Sequence, residues 1–329
     1  MLKAGVSTPY YTLRVIISGI ICMCNLLFVI FLVFFPREVL SAARDGLLLW
    51  FNNVLPSLLP FIVAVNLLTA LGFVRLISAW VKPFMRVVFN LPGAGGFALI
   101  TGLISGYPMG AKTVADLWCR GEITTKEAQR LLAFCNNAGP LFIVGVVGVG
   151  LLGNSTAGYV LWAGHVVAAL IVGVLTRRQG NDGYTQRVEE RAHMTLVSPS
   201  PGKALGDAVK NAMEALLLVG GLIVFFSVVV RAIMVVAGDL PLAAGGAIAG
   251  IIEVTGGVKI LADISSGDIT PRSIGLIGGI IAFGGFSVHA QALHFTSGTG
   301  IKARVYILYK AIGGVIAAII TGLIWSVLV

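Results

Sequence analysis

Residues Leu91–Lys112 read LPGAGGFALITGLISGYPMGAK, and the order of their parts decides the architecture. The first 21 of them are uncharged, long enough to cross a hydrocarbon core that takes about 20 apolar residues. The run is punctuated, however, by Ser105-Gly106-Tyr107-Pro108-Met109-Gly110. Pro108 lacks a backbone donor and disfavours helix at Tyr107, while the flanking glycines allow tight turns. An interrupted helix frees N–H and C=O groups, and such backbone is tolerated at membrane depth only against protein or a watery cavity. The stretch therefore predicts a re-entrant hairpin. Its second arm restarts near Ala111 and aims a positive dipole end, with Lys112, at an anion.

The rest of the chain supplies the membrane around this hairpin. Of 329 residues, 57% are hydrophobic and 11% charged, against about a quarter charged in a soluble domain. Seven stretches predict full spans: Val15–Phe35, Leu55–Val74, Leu131–Leu152, Ala157–Thr176, Ala215–Gly238 (across Arg231), Ser273–Gly300 and Ala311–Val329. A second broken run, Leu240–Ile252, leads into Glu253-Val254-Thr255-Gly256-Gly257-Val258-Lys259. The fold class is thus an all-α polytopic membrane protein, with about seven full spans plus two re-entrant hairpins. The first stretch exceeds a signal-peptide core of about 7–15 residues and predicts an uncleaved span.

The net charge of +9 does not point to nucleic acid, because no basic cluster is interleaved with aromatics on a soluble module. Topology accounts for it. A cytoplasmic N-terminus with Lys3 and Arg14 also places Arg75, Lys82, Arg86, the Lys112–Arg130 segment, the Arg177–Lys210 loop, and Lys302, Arg304 and Lys310 inside. Arg37, Arg44, Lys259 and Arg272 fall outside as exceptions. Four cysteines (Cys22, Cys24, Cys119 and Cys135) lack metal-site spacing, so neither a metal centre nor a disulfide framework is indicated, and no cofactor is implied.

The two halves echo each other. Gly110-Ala111-Lys112-Thr113-Val114-Ala115-Asp116-Leu117 matches Gly257-Val258-Lys259-Ile260-Leu261-Ala262-Asp263-Ile264, while Leu91-Pro92 corresponds to Leu240-Pro241 and Ala133-Phe134 to Ala282-Phe283. Three full crossings per unit is an odd number, so with the linker inside the two units enter from opposite faces, as an inverted repeat. The expected divisions are 1–46 (first span and surface segment), 47–176 (first repeat), 177–210 (cytoplasmic linker) and 211–329 (second repeat). Between hairpin and crossing lies the polar stretch Lys112–Arg130, where Glu122–Leu132 has a Thr cap candidate followed by Glu and Gln and helical apolar spacing, and it predicts two short amphipathic helices at the membrane surface.

Candidate substrate contacts follow from the interruptions. They are Ser105, Gly106, Tyr107 and Lys112 on the first hairpin, and Glu253, Thr255 and Lys259 on the second. Asn136-Asn137 before Gly139-Pro140, and Ser287, His289 and Gln291 after Gly284-Gly285, lie in crossings that a plain helix cannot continue. A Glu opposite a Lys suits cation binding, proton acceptance or neutralisation of an empty site, and the coupling ion, proton or sodium, stays open. His165 reads as a satisfied packing histidine. Gly148–Gly153 fits GxGxxG without the strand and acid of a dinucleotide site, so helix packing explains it. Nothing assembles into a nucleophile–base pair, and an enzyme is not expected. The spacings Gly106/Gly110 and Gly246/Gly250 suit helix packing within one protomer or in a homo-oligomer.

SGYPMGAKTVADL, LLAFCNNAGPLFIVG, IEVTGG and FGGFSVHAQAL resemble the YlbJ-type (SpoVV) sporulation integral membrane proteins, from about Leu47 to Val329. That family belongs to the nucleoside-recognition or "gate" group and is similar in plan to concentrative nucleoside transporters. The resemblance implies a role in endospore formation: carriage of dipicolinate, a small aromatic anion, across the outer forespore membrane. A nucleoside-type carrier and a non-transporting partner in a sporulation complex are the alternatives. Lys112, Lys259, Asn136 and Asn137 suit an anion, whereas Glu253 is awkward for a dianion.

Overall fold

A computed structural model describes residues 8–71, 73–178, 200–238, 240–265 and 267–329. Most of the predicted linker therefore lies outside the described residues. Among those described there is helix and no strand. The order is α1 (Thr8–Phe34), α2 (Pro36–Leu49), α3 (Leu55–Ala70), α4 (Phe73–Phe84), α5 (Gly95–Ile104), α6 (Met109–Cys119), α7 (Thr125–Cys135) and α8 (Ser155–Leu175). After the linker come α9 (Pro201–Ala237), α10 (Leu242–Ile252), α11 (Val254–Ser265), α12 (Pro271–Phe283), α13 (Gly285–Phe295) and α14 (Ala303–Leu328). Three π-helical segments, Trp50–Val54, Met85–Phe89 and Leu141–Leu151, sit between them.

Four described helices are long and apolar enough to cross a bilayer: Ser155–Arg178, Pro201–Ala237, Pro271–Phe295 and Ala303–Leu328. Ser18–Phe34 with Pro36–Val54 adds a fifth if that pair, bent by 101°, is one span. The apolar surface of these helices needs a non-aqueous solvent. Only 28% of the apolar window of α14 is buried, and Val315, Ile319 and Leu323 form an exposed stripe along it.

Two of the seven expected spans take another form. Leu55–Val74 is realised as the 16-residue α3, with Pro60 inside it. At about 1.5 Å per residue it is shorter than the roughly 30 Å hydrocarbon core. Leu131–Leu152 is divided into α7 and the π-helical Leu141–Leu151, because Asn136–Pro140 stop the α-helix. Conversely, α9 starts at Pro201 and α14 at Ala303, taking in residues that read as loop.

Helix ends follow local chemistry. Thr124 caps α7 in a reciprocal box: its hydroxyl accepts from the Glu127 amide (3.3 Å), and Glu127 Oε2 accepts from the Thr124 amide (2.7 Å). Thr270 caps α12 in the same way with Ser273. Arg130, at the end of the segment read as amphipathic helices on the cytoplasmic membrane surface, is buried instead. Its guanidinium donates to the carbonyls of Asn90 (3.1 Å) and Phe89, closing the C-terminal end of Met85–Phe89.

Two bodies result. In one, α2 and α3 lie along α9, and Arg231 Nε donates to Glu38 Oε2 at 2.6 Å across α9 and α2. In the other, α14 packs on α8 and α12, with both hairpins, α5–α6 and α10–α11, set against the interrupted crossings. The fit of hairpin to crossing, and of one hairpin arm to the other, depends on missing side chains. A Cβ on Gly102 would lie 1.6 Å from the Cys135 carbonyl oxygen, and one on Gly257 would lie 2.1 Å from the Gly250 nitrogen. Gly246 and Gly250 face Leu261 and Ile280, so that small-residue spacing packs within the protomer. Gly148, in the GxGxxG lookalike, abuts Gly158 of α8, which is helix packing as expected.

Candidate functional site

The predicted break in the first hairpin is present. Helix α5 stops at Ile104, Gly106 takes φ +82°, the Tyr107–Pro108 peptide is cis, and α6 resumes at Met109. Because Gly106 lies against the backbone of Ala138 and Gly139, the hairpin tip and the interrupted crossing meet. The second half repeats this contact. Gly285, just past the break between α12 and α13, faces the Gly250 carbonyl and the Val254 amide at the tip of α10–α11.

At the second tip, Glu253 is extended (φ −136°, ψ 112°) and buried. Its carboxylate accepts from the amides of Thr255 (3.1 Å) and Gly256 (2.6 Å), and its carbonyl accepts from Gly257. It is therefore the N-cap of α11, serving donors that the helix start leaves free. This corrects the expectation of a Glu facing a Lys. The carboxylate is engaged by backbone, and Lys259 is exposed on α11.

The two tips and both interrupted crossings enclose a cavity of about 50 Å³. Its polar wall comprises Ser105, Gly106 and Tyr107 from the first tip, Glu253 and Thr255 from the second, and Ser287 and Gln291 from α13. Asn53, Leu58, Val219 and Ile223 close it from the α2–α3–α9 body. Four side-chain atoms here are buried without a partner among the described residues: Ser105 Oγ, Tyr107 Oη, Ser287 Oγ and Gln291 Oε1. Buried polar groups are almost always hydrogen-bonded, and four orphans converging on one cavity mark a place where a polar guest belongs.

Seven of the twelve sequence-predicted residues thus come together. The other five do not line this cavity. Lys112 is half-buried on α6 beside Asp116, and Lys259 is exposed. Asn136, Asn137 and His289 lie in a second polar cluster. There Asn136 Nδ2 donates to Tyr306 Oη (2.8 Å), Asn137 Nδ2 donates to the Phe134 carbonyl (2.7 Å), and His289 Nδ1 lies 3.3 Å from Tyr306 Oη. Lys310 Nζ donates to the Asn136 carbonyl (2.8 Å), and the Ala138 amide donates to His165 Nε2 (3.2 Å). Backbone groups freed by the break at Asn136–Pro140 are therefore satisfied from α14 and α8. His165 does more than fill space, since it takes up one of those freed amides.

Sequence reasoning missed Lys310, Tyr306 and Asn53. Lys310 read as a cytoplasmic loop cation, but α14 extends through it and buries it. The i, i+4 spacing of Tyr306 and Lys310 was the available signal, because it puts both on one helical face. Asn52-Asn53 carries the same paired-amide signature as Asn136-Asn137.

Residues 51–155 match a family model described as "Gate: Nucleoside recognition". The chain is also 34% identical over 327 residues to the "Sporulation integral membrane protein YlbJ" of Bacillus subtilis (strain 168), covering 88% of this chain and 78% of that protein. No solved structure matches. Apolar helices too exposed for water, a gate model spanning the first hairpin, and this extended identity agree: the chain is an integral membrane protein belonging to the YlbJ family of sporulation proteins.

Proposed function

We propose that this protein is a carrier for a small aromatic anion, dipicolinate, working in the outer forespore membrane with its N-terminus in the cytoplasm. The observation that carries the reading is the set of four unpartnered polar atoms around the cavity where both hairpin tips and both broken crossings meet. Hydroxyl donors at Ser105, Tyr107 and Ser287 suit carboxylate oxygens, and apolar walls from Val219, Ile223 and Phe142 suit a ring. At about 50 Å³ the cavity has room for a few waters, so this conformation is closed around the site. Transport then requires the hairpin-bearing body to move against α2, α3 and α9.

An inverted repeat supports such motion. From hairpin onward the halves follow the same order of elements: α5, α6, α7, Leu141–Leu151 and α8 correspond in turn to α10, α11, α12, α13 and α14. The breaks fall at corresponding places, and both α7 and α12 begin with a Thr capping box. Half-helices meeting at a repeat interface are how many secondary transporters hold solute.

Uptake of labelled dipicolinate into vesicles containing the purified protein tests the assignment. Ser287→Ala and Gln291→Leu each remove one contact worth about 1 kcal/mol, so each is expected to lower uptake several-fold, by up to about tenfold. Competition by a nucleoside, stronger than by dipicolinate, would favour the reading suggested by the gate description. Normal uptake by the double variant would reject the site.

A further inference from the structure

Beside the inner cavity lies a larger groove of about 440 Å³, and the two share Asn53 and Val146 as lining residues. One wall is the π-helical Trp50–Val54 with Asn52 and Asn53, and the other is the π-helical Leu141–Leu151 with Gly145 and Gly150. π-Helical turns recur at functional sites, and the two glycines leave this wall without bulk. The groove is within the usual size of a small-molecule pocket, whereas the inner cavity takes only a few waters. An exposed carboxamide such as that of Asn52 is costly in hydrocarbon, which argues that this groove holds water and not lipid tails.

We propose that this groove is a water-filled vestibule where the solute rests before it enters the inner cavity, with Asn53 and Val146 as the gate between them. Asn52 offers an amide donor to a carboxylate, and Leu141 and Leu151 offer apolar faces to the ring. No charged side chain lines the groove, so it holds the anion loosely and passes it on. The proposal rests on the reading of the protein as an aromatic-anion carrier and adds the path and its first binding place.

The test uses single cysteines, Asn52→Cys and Gly145→Cys, in a chain whose four native cysteines are replaced by alanine. A negatively charged, membrane-impermeant thiol reagent is added to vesicles. Both positions are expected to react, dipicolinate is expected to slow that reaction at least fivefold, and modification is expected to cut uptake at least fivefold. Leu323→Cys on the exposed face of α14 should stay unreactive. In the chain with native cysteines, Val146→Trp is expected to lower uptake about tenfold. Paired with Gly145→Cys in the cysteine-free chain, it should leave dipicolinate protection at Gly145 intact. Unreactive cysteines would mean a lipid-filled groove and overturn the proposal. Reaction with neither protection nor loss of uptake would overturn it too, as a crevice off the path. Absence of any dipicolinate uptake by the unsubstituted protein would instead reject the carrier reading, whatever the thiols do.

Discussion

Replacing Gly102 with alanine is expected to leave no folded protein. The added Cβ would sit 1.6 Å from the Cys135 carbonyl oxygen and 2.8 Å from its carbon. Both are backbone atoms, and the chain here is fixed at its next residue: Lys310 donates to the Asn136 backbone carbonyl, while the Asn136 side-chain Nδ2 donates to Tyr306 Oη. Overpacking a core that can adjust costs about 1–3 kcal/mol. A displacement of more than 1 Å through a hydrogen-bonded break lies above that range and is comparable with a whole domain's margin. Expression and size-exclusion behaviour in detergent check this: Gly102→Ala should be lost to degradation or aggregation. Gly221→Ala, on α9 with nothing within 4 Å of the added carbon, should be recovered like the parent with equal or slightly higher thermal stability.

The second large effect is expected at Glu253. Leucine there would orphan the Thr255 and Gly256 amides at the start of α11, a lost cap worth about 1–2 kcal/mol. It would also place an apolar branch in the wall of the cavity. Uptake of dipicolinate should fall more than tenfold, with a lowered unfolding temperature. Glutamine separates cap from charge. Its single carbonyl oxygen can serve one of the two amides, while its NH2 group would oppose the other, so about half the cap is retained. If Glu253 acts only through the cap, Glu253→Gln should fall midway between parent and leucine in both stability and uptake. A glutamine variant as stable as the parent yet inactive would show that the carboxylate itself is needed.

The architecture was legible where punctuation is strong. Pro108 between glycines, Asn136-Asn137 before Gly139-Pro140, and Gly284-Gly285 each stop a helix for backbone reasons that composition alone reveals, and the structure breaks at all three. That a Thr caps this helix start was legible for the same local reason, and the structure assigns the cap to Thr124. What periodicity could not show was the company each residue keeps. Lys112 and Lys259 looked like paired site cations because their motifs repeat, yet each leaves its tip on the face of α6 or α11 turned away from the cavity. Lys310 looked like a loop cation because a helix start within Lys302–Lys310 carries no stop signal for a hydropathy window. Val219, Ile223 and Asn53 enter the site from elements far away in sequence, through packing that no local pattern encodes.

The account turns on where the solute sits. A structure determined with dipicolinate present tests that directly. It predicts density between the two hairpin tips, with carboxylate oxygens within hydrogen-bond reach of at least two of the Ser105, Tyr107 and Ser287 hydroxyls, and the cavity enlarged around it. Dipicolinate bound with those three hydroxyls still unpartnered, or bound instead in the Asn136–Lys310 cluster, would contradict the account.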